Sequence, residues 1–471
     1  MNHRRRSIVV VLSVLALSTI ARAQVASSGP PPVLTLEQAL QDAEDHYPTV
    51  RAAVERVNVS TADVAVARAA SLPRFDSIWQ TTRATANNIF GQVLPQSVLP
   101  SISGPVLPSA SGQTVWGSAA GGLFSWEPFD LGLREAAVRE AEGGVAHARA
   151  QEALTRLAVQ NAVGAAFLAL VNAQQAVVAA EADGHRRDVL ARVAHALADN
   201  ELRPGAEASR ADAERAAAQT RAIQAREAVS IAQATLGQML GVTAGPVSVN
   251  AAGLLENLPA GRTQDVPVAA HPLARAGQTA VDLARAREGV LTKTDRPRLY
   301  LQSSLFARGS GANPDGSFDG GTDGLWLERV NWAAGVQVIF PNLFDFASLR
   351  ARRTASAAST RAESARYDEA LLAVTSQQQA ANAFVEAAQA IALNTPMQLT
   401  AARQGEAQAR ARYEAGLTSI VEVAEAQSLL AVAEYQNAAA RVDVWRALLA
   451  QAVAQGSVAP FVQSVRASGV Q

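Results

Sequence analysis

No cysteine occurs among the 471 residues. That excludes disulfides, thiolate metal sites and an acylated N-terminal cysteine, and it is compatible with an oxidising compartment. No basic block follows Arg6 and the formal net charge is -1, so nucleic acid is not expected as a partner. After the N-terminal segment no uninterrupted apolar run reaches the roughly 20 residues that a helix needs to cross a bilayer. No glycine-rich phosphate loop follows a strand and no nucleophile elbow is present, so neither an enzyme nor a bound cofactor is expected. His147, His185 and His195 lack companions at ligand spacing, which leaves them solvated or packed and predicts no metal site. His46 and His271 stand beside prolines as turn residues.

What is present begins with a leader. His3-Arg4-Arg5-Arg6, the apolar run Ile8 to Leu17 and the small-x-small triplet Ala21-Arg22-Ala23 predict a signal peptide over residues 1–23, with a mature chain from Gln24. Ser27-Ser28-Gly29 and Pro30-Pro31-Pro32 then mark residues 24–33 as a flexible lead that packs no core.

The rest is one design written twice. Pro272 and Pro297 repeat the spacing of Pro48 and Pro73, with His46-Tyr47-Pro48 echoed by His271-Pro272. Phe129-Asp130-Leu131 returns as Phe344-Asp345-Phe346, and Ala166-Phe167 as Ala383-Phe384. A period of roughly 220 residues is too long for a solenoid and reads as a duplicated half-protein. The expected division is repeat one over 34–242, a linker over 243–265, repeat two over 266–456 and a flexible tail over 457–471.

Within each half the hydrophobic period changes. Thr35 and Gln38 form a capping-box pair that starts a short helix, and Pro48 suits the first turn of the next. Val50, Val54, Val57, Thr61 and Val64 make one helical stripe that ends before Pro73. Alternation then takes over: Val330, Trp332, Ala334, Val336, Val338 and Phe340 share one parity, while Trp116, Ala120, Phe124 and Trp126 do so in repeat one. These are strands, each expected to pair with an earlier one, Arg74 to Thr82 or Arg298 to Arg308, across loops over 84–113 and 309–325. The pattern fits a membrane barrel wall and equally a hairpin of a soluble domain.

From Leu131 to Asp199 and from Phe346 to Glu414 the chain is rich in Ala, Arg, Glu, Gln and Leu, with Pro396 the sole proline. Such runs predict helices about 100 Å long at 1.5 Å per residue, and rods of that length bury their apolar stripes only against parallel neighbours. Shorter helices follow Gly205 and Thr418. Stacked end to end with the helices between the prolines, they would flank each rod.

These pieces resemble the TolC-like outer membrane efflux proteins, or outer membrane factors. The most specific match is Arg412-Tyr413-Glu414-Ala415-Gly416-Leu417-Thr418-Ser419-Ile420-Val421-Glu422-Val423-Ala424-Glu425-Ala426-Gln427, which looks like the family's helix-turn segment. The resemblance covers nearly all of residues 34 to 456. It implies a mixed, mainly α fold: a long coiled-coil α-barrel in the periplasm plus four antiparallel strands per chain, which a homotrimer completes into a twelve-stranded outer-membrane β-barrel. Twelve rods spaced as packed helices would enclose a bore of roughly 25 Å.

The resemblance also implies site residues. Glu422 and Glu425 match the family's constricting acidic positions, with Ser209 and Asp212 as first-repeat equivalents, so Asp212, Glu422 and Glu425 would ring a cation-attracting periplasmic gate. Tyr413 matches a latch position, while Thr418 stands where the family has a basic latch residue. Gly416 and Leu417, with Leu202 and Gly205 in the looser counterpart Leu202-Arg203-Pro204-Gly205, would dock a periplasmic membrane-fusion adaptor. Pro396 would kink its rod. Partners implied are the sister subunits, the adaptor, an inner-membrane pump of resistance-nodulation-division or ABC type, and outer-membrane lipid of a Gram-negative bacterium. The expected role is a passive exit duct for drugs or other small molecules. Alternatives are type I protein secretion, metal-cation efflux and, from another class, a soluble periplasmic coiled-coil adaptor or scaffold.

Overall fold

A computed structural model describes residues 33–85, 112–241, 247–250, 252–256, 259, 266–313, 315, 317–318, 321–341 and 344–467. The expected signal peptide, nearly all of the lead and most of the 84–113 loop lie outside these residues. The elements in chain order are β1 (Val33–Leu34), α1 (Leu36–His46), α2 (Pro48–Ala69), β2 (Arg74–Thr85), β3 (Thr114–Phe129), α3 (Leu133–Asp199), α4 (Gly205–Leu240), β4 (Ser248–Val249), α5 (Ala252–Glu256), α6 (Pro272–Leu291), β5 (Arg298–Ser310), β6 (Arg329–Ile339), α7 (Phe346–Glu414), α8 (Ile420–Ala454) and α9 (Ala459–Ala467). The duplication is literal: α2-β2-β3-α3-α4 is repeated as α6-β5-β6-α7-α8.

Local chemistry explains where these elements start. The Thr35 hydroxyl accepts from the Gln38 amide at 3.3 Å while the Gln38 side chain accepts from the Thr35 amide at 3.0 Å, the reciprocal capping that the sequence predicts. Pro48 and Pro272 both occupy the first turn of their helices. His271 caps α6, its Nδ1 accepting from the Leu273 amide at 3.1 Å. At the strand-to-helix junction, Asp130 accepts from the amides of Gly132 and Arg134 and from the Arg134 guanidinium. Burial pushes its pKa up, but these hydrogen bonds outweigh burial and hold the carboxyl below its usual value.

The four long strands form one antiparallel sheet in the order β2-β3-β5-β6. Its register separates two faces. One carries Phe75, Trp79, Phe124, Trp126, Leu301, Leu305, Val330, Trp332, Val336 and Val338, the other Gln80, Thr82, Ser125, Gln302, Ser304, Asn331 and Gln337 together with Ile78, Leu123 and Phe306. The apolar face is uncovered, with Trp79, Val330 and Trp332 each more than two-thirds exposed. Pro128, which has no amide hydrogen for a ladder, sits in the bulge between Trp126 and Phe129. Gly122 lies under the Phe75 ring, where a Cβ would come within 2.6 Å of it.

Below the sheet the helices stand as a palisade. α3 packs on α4 and α2 to one side and on α6 and α8 to the other, and α7 packs beyond on α6 and α8. Each long rod is thus flanked by two shorter helices placed end to end, as expected, and its length is about 100 Å. The largest core lies at mid-height, where Leu36, Leu40, Phe167, Leu168, Leu236, Trp445, Leu449 and Phe461 meet. Trp445 is fully buried, donates from Nε1 to the Leu254 carbonyl at 2.7 Å and meets Phe461 edge-on at 6.2 Å. Gly164 admits Leu449 so closely that a Cβ there would lie 2.8 Å from its methyl.

The chain ends differ from the sequence reading. Val33, assigned to the flexible lead, pairs with Ser248 in a short parallel ladder. Residues 459–467, expected as flexible tail, form α9. Gly456, at φ 86°, reverses the chain, Phe461 and Val465 stand four apart and enter the core, and Arg466 pairs with Glu37 of α1. The apolar i, i+4 pair supplies the burial that a tail lacks.

Candidate functional site at the helix tips

Each repeat ends its rod in a hairpin at the pole opposite the sheet. In repeat two, α7 closes with a Schellman turn: the Leu417 amide donates to the Arg412 carbonyl at 2.8 Å and Gly416, at φ 78°, takes the left-handed position. In repeat one the Leu202 amide donates to the Leu197 carbonyl at 2.9 Å, and the left-handed residue is Glu201 at φ 57°. Leu202 and Leu417 are therefore true counterparts, 69% and 71% exposed. Gly205, expected at the docking tip of repeat one, lies past the turn itself. It is the first residue of α4, with open space where a Cβ would be.

That geometry shifts the expected correspondence between the gates. Pro204 and Ser419 are the matching N-caps, and Gly205 and Ile420 the first helical residues. Glu422 thus corresponds to Glu207 rather than Ser209, and Glu425 to Arg210 rather than Asp212. The sequence reading set both equivalents two residues too late in repeat one, an offset that pairs Thr418 with Gly205 instead of Arg203.

The tips are tied to one another by groups that this shift brings into line. Tyr413 is 1% exposed and donates from its hydroxyl to Glu207 Oε2 at 3.0 Å. Arg203 lies over the Tyr413 ring at 5.3 Å, sits 3.8 Å from Glu207 and donates to the Thr418 carbonyl at 3.1 Å. Thr418 occupies the position that corresponds to Arg203, so the cation absent from one repeat is present in the other. Burial, and then the hydrogen bond to the Glu207 carboxylate, push the Tyr413 pKa up to about 12.

The three predicted gate carboxylates have different surroundings. Glu422 accepts from Arg412 at 2.8 Å and from the Thr418 hydroxyl. Asp212 lies 2.9 Å from His195 Nε2 and 3.2 Å from Arg215. Glu425 is exposed. Two of the three acids are thus matched by cations of their own chain.

Further up, Arg187 is 1% exposed and joins both repeats. It donates to Asp183 on its own helix at 3.3 Å, to Glu214 of α4 at 2.7 Å, and to the Ala424 carbonyl and Ser428 hydroxyl of α8 at 3.3 and 2.7 Å. Arg221 completes Asp183 at 2.9 Å, and Arg186 forms a second tie to α8 through Glu434. Arg203, Glu207 and Arg187 were not singled out from the sequence. The i, i+4 spacing of Arg203 and Glu207 was the visible signal. α7 continues through Pro396, whose carbonyl accepts from the Thr400 hydroxyl at 2.8 Å.

The sheet with one apolar and one more polar face, carried on a palisade of rods that end in closed hairpins, is the fold seen in solved outer-membrane channels. The family model described as outer membrane efflux protein matches residues 268–456, so repeat two carries that family's sequence pattern and the resemblance read from Arg412 to Gln427 holds. Solved structures extend the likeness to the whole fold. The outer membrane protein VceC of Vibrio cholerae matches with a TM-score of 0.69 at 18% identity, over 90% of this chain and 96% of that one. The CmeC outer membrane channel of Campylobacter jejuni gives 0.72 at 15% identity, over 92% and 89%. The open state of the MtrE outer membrane channel of Neisseria gonorrhoeae gives 0.67 at 18% identity, over 90% and 89%. No curated protein sequence matches the chain.

Proposed function

We propose that the protein is the passive outer-membrane exit duct of a tripartite efflux system, a homotrimer whose barrel spans the outer membrane and whose rods form a periplasmic tunnel. The observation that carries this reading is a pair of open edges. Among the described residues the sheet ends in β2 and β6, each with its outer edge open, and the palisade ends in α2 and α4 on one side and α7 on the other. Along those edges Val59, Val66, Ile223, Ile231, Leu372, Leu393 and Met397 are exposed by more than half. In lipid an open strand edge leaves N–H and C=O groups unsatisfied at a cost of several kcal/mol each, so sister copies must close it. The same closure covers the exposed helix faces.

At the tips, the Tyr413–Glu207–Arg203 group serves as the latch, and Asp212, Glu422 and Glu425 as the carboxylates met by solutes entering from the periplasm. Leu202 and Leu417, two exposed leucines on matching turns, suit a periplasmic adaptor, and an inner-membrane pump supplies the energy. Pro396 removes one backbone hydrogen bond from α7 and gives that rod a place to bend. Small-molecule efflux is the favoured cargo. A bore wide enough for drug-sized solutes also suits protein or metal-cation export.

Fractionation of the expressed protein tests the reading. A detergent-extracted, heat-resistant trimer from the outer membrane that conducts ions in planar bilayers is expected, and a soluble, non-conducting monomer overturns it. Loss of drug resistance on deletion of the gene separates small-molecule efflux from protein secretion.

A further inference from the structure

The face of the sheet opposite Trp79, Val330 and Trp332 has a hollow in its middle. Cross-strand register places Ile78, Gly121, Phe306 and Asn331 in one row, Leu123, Ser304 and Ala333 in the next, and Ser125, Gln302 and Gly335 in a third. A cavity of about 410 Å³ lies over these rows, within the size range of pockets that hold drug-sized molecules. Its floor is short, from Gly121, Ser304, Ala333 and Gly335, and its walls are apolar, from Ile78, Leu123 and Phe306. The exposed amides of Gln302 and Gln337 stand at the end nearer the helices, and no charged side chain lines the cavity. Two of the floor glycines differ in what they are for. A Cβ at Gly121 would strike Phe306 and the Leu305 carbonyl, so that glycine serves the packing of β3 on β5. Gly335 has no such neighbour: nothing lies within 4 Å of where its Cβ would stand, and β6 keeps its register through it without a bulge. Glycine weakens a strand interior, and where neither a bulge nor a packed neighbour requires it, it marks a place that a ligand approaches closely.

We propose that this hollow is a transit site in the barrel wall for uncharged solutes that carry a flat apolar ring and a few hydrogen-bonding groups. The inference rests on the channel reading, which puts this face on the lumen and repeats the hollow three times. A floor of glycine, alanine and serine lets a flat ring lie against the strands, with Ile78 beside it and Phe306 free to meet it offset or edge-on. Gln302 and Gln337 then face its polar substituents. A charged solute gains little here, since the lining offers no opposite charge to replace its lost hydration. Binding in a conduit has to be weak enough for release. The site therefore slows such a solute on its way out and does not store it.

Planar-bilayer recordings of the trimer with chloramphenicol, an uncharged nitrophenyl compound bearing hydroxyl and amide groups, test this. Chloramphenicol should reduce the current at millimolar concentration, and sucrose, which lacks a flat apolar ring, should not do so at the same concentration. Gly335→Leu puts a side chain into the open space of the hollow, and Phe306→Leu removes the one aromatic side chain that lines it. Each should raise the concentration for half-block by about tenfold, the effect of losing one well-packed ring contact. Trp332→Phe, on the opposite face, should leave the block unchanged. A parent that chloramphenicol does not block, equal block by sucrose, or variants blocked like the parent each overturn the site. Should Gly335→Leu fail to assemble, Phe306→Leu decides alone. If the parent does not conduct, the channel reading fails, and equilibrium dialysis of the detergent-solubilised protein with chloramphenicol decides the hollow by itself. Saturable binding that both variants weaken supports it, and no saturable binding to the parent, or binding that the variants leave unchanged, sinks it.

Discussion

The two hairpin tips perform the same turn with different residues. Repeat two places Gly416 in the left-handed position, where a missing Cβ removes the steric cost. Repeat one places Glu201 there and bears that cost, on the order of 1 kcal/mol. Repeat one in turn holds Arg203 and Glu207, the charged half of the latch, while repeat two holds Tyr413 and offers the Thr418 carbonyl. Duplication supplied two equivalent turns. Divergence then made them complementary, so that each tip lacks what the other provides.

The largest way to break this pairing is above the tips. Arg187→Leu leaves buried Asp183 with Arg221 alone and half-buried Glu214 without its cation, breaks both hydrogen bonds to α8, and should destabilise the protein by about 3 kcal/mol. Urea unfolding and the midpoint of trimer dissociation would report it, and a loss below 1 kcal/mol would show that α8 is held by packing instead. Next, Tyr413→Phe and Glu207→Gln should each cost about 1–2 kcal/mol of tip stability and raise the resting conductance. In a double-mutant cycle the second change should add little to the first. Additive effects would mean that the hydroxyl and the carboxylate act separately.

The same contact predicts a response to pH. The Tyr413 pKa is raised from 10.0 to about 12 in the folded tip. Its stabilisation is therefore complete below pH 10 and is lost as pH rises toward 12, because the unfolded chain ionises first. Conductance of the parent should climb over that window, and Tyr413→Phe should flatten the climb. Exchanging the turn residues gives a smaller effect: Glu201→Gly should stabilise the first tip by about 1 kcal/mol and Gly416→Ala should destabilise the second by a similar amount, read as amide hydrogen exchange at each turn. Smallest of all, Gly205→Ala should change stability by less than about 1 kcal/mol, in the stabilising direction, since a first-turn alanine meets open space and restrains the unfolded chain.

Much of the fold was legible because its signals are local. Thr35 with Gln38, the prolines at helix starts and the alternation from Val330 to Val338 each act within a few residues, and the structure places all of them as read. The site was harder. A left-handed Glu201 carries no signature, because glutamate is not a residue that favours that conformation, so nothing local marked the turn and the gate equivalences fell two residues too late in repeat one. Arg187 is one of many arginines in helical sequence, and only the packing of α3, α4 and α8 around it distinguishes it from a solvated neighbour.

By itself the sequence determined the repeat, the rods, the strands and their two faces, because hydrophobic period and helix propensity are written residue by residue. Only the tertiary structure decided which charged groups meet their partners: Arg203 with Tyr413, and Arg187 with Glu214 and α8. Those meetings depend on helix rotation, which is set by the sum of many distant contacts, and no single stretch of chain carries that sum.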